Sequence, residues 1–202
     1  MTPVPSPAKP ASKRRPYRRA QILAAAVRLF HDRGYHATTM KDVAAEVGVT
    51  AGAIYQHYRN KQEILDVAVE SATAELRARL EEVAELVEDP VPLLDALVAA
   101  LVEVVLADVA LSAVSRQDRP LASEAAAAAA DRSERMVVAE FVQALRRARP
   151  DLPVNEVRAM VHGALGIVYS VTHTDSGLAA PAAALSLRRG ITAALLAPLP
   201  TG

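Results

Sequence analysis

Between Thr39 and Lys61 the chain gathers side chains suited to holding a polyanion and reading what it carries. The Gln56 amide can pair with the N6 and N7 edge of adenine, and the methyl groups of Ala51 and Ala53 suit contact with thymine methyls. Gly52, lying between the alanines, has no side chain to read with and permits close backbone approach. Thr50 stands where a helix N-terminus would offer free N–H groups to a phosphate. Lys61 falls in the first turn of a further helix, where backbone donors and its own charge can hold one phosphate together. Lys41 adds a further positive charge to the set.

Catalysis has less to draw on. The chain has no cysteine, which removes thiolate nucleophiles, thiolate metal sites and disulfides. Its five histidines, His31, His36, His57, His162 and His173, form no HExxH pattern, and there is no phosphate-cradling glycine-rich loop and no GxSxG elbow. No metal or cofactor is expected. A catalytic cleft built from residues distant in sequence is the competing reading, and a scan for turnover is its test.

The elements that must position these residues are helical. Of the 202 residues, 51% are apolar and only 3% aromatic, a composition dominated by Ala, Leu and Val that favours an all-α fold. Ile22, Leu23, Ala26, Val27, Leu29 and Phe30 recur at helical spacing from Tyr17 onward, and Gly34 ends that helix. Thr39 precedes a two-turn helix with Val43, Ala44 and Val47 on its apolar side. Gly48-Val49-Thr50 makes the turn, with Gly48 at positive φ, and Ala51 to Tyr58 forms the next helix. Val43, Val47, Val49 and Ile54 are expected to bury the angle between the two. Asn60 caps a long helix from Lys61 to about Glu88. Further helices are predicted near 91–106, 121–149, 155–173 and 181–196, broken at 117–120, 150–153 and 175–177.

The formal charge of zero conceals a division. Residues 1–62 hold eleven Lys/Arg against three Asp/Glu, net +8, so the remainder carries −8. The first part attracts a polyanion and the second repels one. Residues 1–16, with five prolines and the run Lys13, Arg14, Arg15, read as a disordered basic arm; 17–62 as the DNA-binding module; and 63–202 as a helical body. No stretch of about 18 uninterrupted apolar residues and no N-terminal apolar leader is present, so the expected location is the cytoplasm, without a membrane.

Thr39, Val43, Ala44, Val47, Gly48, Val49, Thr50, Gly52, Tyr55, His57, Tyr58, Lys61 and Leu65, at their spacing in this sequence, resemble the signature of the tetracycline-repressor (TetR) family. The resemblance covers about a third of the chain, first helix included. It implies an N-terminal three-helix DNA-binding domain with a helix-turn-helix and a larger helical ligand-binding and dimerisation domain. It also implies that Thr39, Thr50, Tyr55, His57 and Lys61 touch phosphates, while Tyr58 packs in the module's core. Plainer readings stand beside these: Thr39 and Thr50 as helix caps, Tyr55 as packing, His57 as a surface histidine.

For the body, the resemblance implies a homodimer through the last two long helices, a palindromic operator in double-stranded DNA, and repression relieved when an effector shifts the helix from Lys61 to about Glu88. Gly163, Ala164 and Gly166 beside apolar residues fit close helix packing. The effector is unidentified; Leu101, Val105 and Phe141 either line an apolar cavity or fill it, with His162 and Tyr169 as polar members, and His173 in the same class. A body that serves dimerisation alone, with no effector, is the other reading.

Overall fold

The computed structural model describes residues 14–173 and 181–197. All regular structure among them is helical: α1 (Arg14–Arg33), α2 (Met40–Glu46), α3 (Ala51–Tyr55), α4 (Lys61–Leu86), α5 (Pro90–Ala107), α6 (Val109–Gln117), α7 (Glu124–Ala148), α8 (Val154–Ser170) and α9 (Pro181–Leu196). The chain divides into two compact units between Ile64 and Leu65, so α4 begins in the first and continues in the second.

In the first unit α1 supplies Ile22, Ala26 and Phe30 to a core completed by Val43, Ala44, Ile54 and Tyr58, all buried. Val47 and Val49 are only half-buried, at the margin of the angle they were expected to fill. Helix α1 starts at Arg14, three residues earlier than its apolar periodicity suggests. Pro16 is compatible with this, because the first turn of a helix has no internal acceptor for the N–H that proline lacks. The expected arm therefore ends inside α1, and its first thirteen residues lie outside the described ones.

In the second unit α5 is central. Its Leu93, Leu94, Leu97, Val98, Leu101 and Val105 meet Val137, Phe141 and Leu145 of α7, with α8 and α9 adding Val161, Leu165, Ile191 and Leu195. By length and composition α5 could cross a membrane, with 18 residues of mean hydropathy 2.1. Asp95 and Glu103 interrupt its apolar sequence, so it is not an unbroken apolar run. Half of α5 is buried in this core. Asp95 accepts hydrogen bonds from Arg188 and, at 2.9 Å, from the Thr192 hydroxyl, which ties α5 to α9.

Helix α6 lies outside the helices that apolar periodicity predicts. Periodicity gave nothing between Leu106 and Gln117, but Asp108 leaves the helical conformation and its carboxylate accepts from Leu111 N at 2.8 Å, starting a new helix one residue after α5. Helix α7 begins at Glu124 and not at Leu121, since 119–121 form a 3-10 turn and Ser123 is the cap. The predicted break at 175–177 lies outside the described residues.

Candidate nucleic-acid interface

The turn between α2 and α3 is closed by backbone geometry. Val49 N donates to Ala44 O at 2.9 Å and Gly48 N to Ala45 O at 3.2 Å, the paired bonds of a Schellman motif. Gly48 holds φ +67°, a conformation that L side chains resist. Thr50 then caps α3, its hydroxyl oxygen accepting from Ala53 N at 3.3 Å. Its own proton has no acceptor among the described residues, so both the hydroxyl and the free N–H groups of the first turn of α3 remain open to an incoming oxyanion.

Helix α3 is shorter than the eight residues expected. It ends at Tyr55, and Gln56 is its C-cap; His57 N bonds Ile54 O at 2.8 Å, a tightened last turn that carries the chain to Tyr58. Tyr58 is 1% exposed, donates its hydroxyl to Arg19 O at 3.2 Å and lies under the Arg19 guanidinium at 4.5 Å. Burial pushes its phenol above the ordinary value. Tyr55, by contrast, is 54% exposed. Gln56 and Gly52 are exposed, and Ala51, Ala53 and His57 half-buried. A methyl at Gly52 would meet only the Thr50 hydroxyl oxygen, at 3.9 Å, so the protomer itself leaves space there.

Thr39 is the N-cap of α2 in a capping box with Asp42. The Asp42 carboxylate accepts from Thr39 N at 2.8 Å and from its hydroxyl at 2.6 Å, and these bonds hold the Asp42 pKa below the usual aspartate value. Both Thr39 donors are thus engaged within the helix end. Next to it, Thr38 is buried, donating its hydroxyl to Leu29 O at 3.2 Å and Gly34 O at 3.0 Å. In the sequence Thr38 carries no signal apart from a hydroxyl adjoining a cap.

Lys61 departs most from expectation. Its ammonium donates to Tyr35 O at 2.5 Å, Thr38 O at 2.9 Å and His36 O at 3.5 Å, and sits 4.2 Å from the centre of the Tyr35 ring. The charge expected on a phosphate is directed into the turn between α1 and α2. What Lys61 retains for an anion is its backbone N–H in the first turn of α4, a turn capped by Asn60 Oδ1 accepting from Glu63 N at 2.8 Å.

Several cations of this unit are likewise paired: Arg28 with Glu46 at 3.4 Å, and Arg19 and Arg59 with Glu63 at 3.5 and 3.2 Å. Arg18 and Lys41 are exposed and carry no ion pair among the described residues.

Of the five residues suggested for an effector, Leu101, Val105 and Phe141 share one core with Tyr169 packed against it, and His162 stands apart. Leu101 and Phe141 are 1% exposed and fill the core. Val105 and Tyr169 line a cavity of about 60 Å³ with Ser112, Ser133 and Arg116. The Arg116 guanidinium lies 3.7 Å from the Tyr169 ring centre, and burial pushes the phenol upward. His162 is exposed on a separate groove between α7 and α8. The side chain of His173 lies outside the described residues.

Three helices, a glycine-closed turn and a capped, outward-facing third helix define a helix-turn-helix protein. Residues 22–68 match the model for bacterial regulatory proteins of the tetR family. Over that stretch the chain is similar to the DNA-binding part of that family's members. It is 49% identical over 53 residues to the HTH-type transcriptional regulator TtgR of Pseudomonas putida, covering 26% of this chain and 25% of that one. It is 29% identical over 100 residues to the HTH-type transcriptional repressor KstR2 of Mycolicibacterium smegmatis, covering 50% and 46%. The chain thus spans between a quarter and a half of the length of these relatives. The structure of AibR in complex with isovaleryl coenzyme A and operator DNA superimposes with a TM-score of 0.76 at 21% identity, covering 90% of this chain and 100% of AibR, a likeness of fold.

Proposed function

We propose that this chain is a sequence-specific DNA-binding transcriptional regulator and not an enzyme, acting as a homodimer on a palindromic operator and releasing it when a small effector binds the second unit. The observation that carries this reading is α3: a capped helix N-terminus whose Thr50 proton is free, followed by exposed Tyr55 and Gln56, in a unit of net positive sequence. Phosphates would meet Thr50, Tyr55, His57, Lys41 and the helix ends at Thr39 and Lys61, and bases would meet Gln56, Ala51 and Ala53.

The dimer is supported by α8 and α9. A Cβ placed on Gly163 or Gly166 meets nothing within 4 Å, although glycine inside a helix costs about 1 kcal/mol relative to alanine. Neither glycine is therefore required by the protomer's own packing. Exposed Ile167 and Leu185, 48% and 43% accessible, lie on the same two helices. A second copy packing closely on them accounts for both features.

The test is fluorescence anisotropy of the purified protein with duplex DNA from the promoter beside its own gene, over a salt series and against scrambled duplex. Tight binding to the promoter alone, weakening steeply with salt, supports the reading. Absence of binding to either duplex at low salt overturns it. A second reading, in which the body serves dimerisation alone, is favoured by the small size of the buried cavity, since drug-sized ligands occupy about 300–1,000 Å³. A compound that raises the melting temperature decides between the two.

A further inference from the structure

The body carries a second concavity that the buried cavity does not explain. Along α7, Arg135, Val138, Val142 and Arg146 follow one another at three- and four-residue steps, so they share a face. Together with Arg158 of α8 and Leu152 of the connecting loop they line a groove of about 1170 Å³.

The charges there do not cancel. Both acids on the groove wall are taken: Asp131 pairs with Arg119 at 3.3 Å, and Glu134 with Arg119 and Arg116 at 2.6 and 3.6 Å. Two further arginines are also engaged, Arg147 with Glu88 O at 2.6 Å and Arg149 with Asp151 at 2.9 Å. Arg135, Arg146 and Arg158 are exposed and have no carboxylate partner among the described residues. With Arg147, whose partner is a neutral carbonyl, four guanidiniums without a carboxylate partner among the described residues thus border an aliphatic floor, in a part of the chain whose net charge is −8.

We infer that this groove binds a phosphate-headed amphiphile, the head held by Arg146 and Arg158 near the α7–α8 loop and the aliphatic tail laid along Val142 and Val138. Guanidinium forks match phosphate oxygens with charge-assisted bonds. A phosphate monoester presents three oxygens and up to two negative charges, enough for a guanidinium from each wall. The apolar floor adds affinity with each methylene it covers. The inference rests on the regulator reading only for its consequence at DNA; the binding itself is independent of it.

The probe is octyl phosphate, titrated into the full chain by calorimetry, with octanol and inorganic phosphate as its separated halves. Octyl phosphate is expected to bind at least about tenfold more tightly than either half. Lengthening the alkyl chain by one carbon should tighten binding by about fourfold. The double variant Arg146→Gln/Arg158→Gln should weaken octyl phosphate about tenfold while leaving the thermal midpoint unchanged, because both side chains are exposed. Equal binding of octanol, equal binding of inorganic phosphate, no binding of octyl phosphate, or a double variant that binds like the parent each overturns the proposal. Calorimetry needs no DNA and operator binding needs no ligand, so this proposal and the regulator reading can fail separately.

Discussion

The Lys61 ammonium lies 2.5 Å from the Tyr35 carbonyl oxygen and 4.2 Å from the centre of the same residue's ring. One side chain at the start of α4 thereby fixes the turn that precedes α2.

Replacing Lys61 by Met keeps the stem and removes the donors. Three backbone carbonyls lose a partner, and the DNA-free protein should lose about 1–3 kcal/mol of stability. Denaturant titration without DNA checks this. A side chain serving phosphate alone would leave that midpoint where it was.

Thr50→Ala removes the cap of α3. The expected loss is about 1 kcal/mol of stability, accompanied by weaker DNA binding on every sequence, because a cap and a phosphate contact carry no base information. Thr50→Ser should restore most of both, measured by melting and by anisotropy.

Gln56→Ala should act differently. It is exposed at the C-cap of α3 and supports no core. Stability should be unchanged, while discrimination between operator and scrambled duplex falls by about 1–3 kcal/mol. An equal loss on both duplexes would remove Gln56 from base reading.

Asp95 provides a pH signature. The hydrogen bond from Arg188, outweighing the upward push of burial and helped by Thr192, holds its pKa below the ordinary aspartate value. A lowered carboxylate pKa stabilises the fold above the unfolded value, about 3.9, and that contribution is lost as pH falls through the folded value. Asp95→Asn should therefore flatten the acid limb of the stability curve, and parent and variant should converge in strong acid. Urea midpoints from about pH 6 to about pH 3 measure it.

Gly163→Leu tests the dimer. A Cβ at position 163 meets nothing within 4 Å in the protomer and the site is exposed, so melting of the monomer should be unimpaired, whereas sedimentation should show the dimer dissociating at concentrations where the parent stays paired. An unchanged dimer would place the interface elsewhere.

Much of the first unit was legible because its signals are local. Gly48, Thr50 and the 3.6-residue period of Ile22, Ala26 and Phe30 each act within a few residues. The position of the Lys61 ammonium is not legible in the sequence, for the opposite reason. Its partners are 23 to 26 positions away, and nothing in a lysine's type announces a carbonyl at that separation. The same holds for Asp95, whose partners Arg188 and Thr192 are 93 and 97 positions distant. Helix α6 was missed although its signal is local, because Asp108 serves as a stop and a start within one residue. Apolar periodicity identifies a core face but cannot separate lining from filling: Leu101 and Phe141 fill.

The brevity of α3 has a wider consequence. Of its five residues, three are Ala, Gly and Ala, and a fourth, Ile54, faces inward. A protein that reads DNA with so few letters per copy forms a short, tolerant word. Its vocabulary then depends on repetition at a fixed interval and on the stiffness of the intervening duplex. On the proposed reading, such a head could be reassigned to a new address by one or two substitutions that leave Ile54 and Tyr58 in their core.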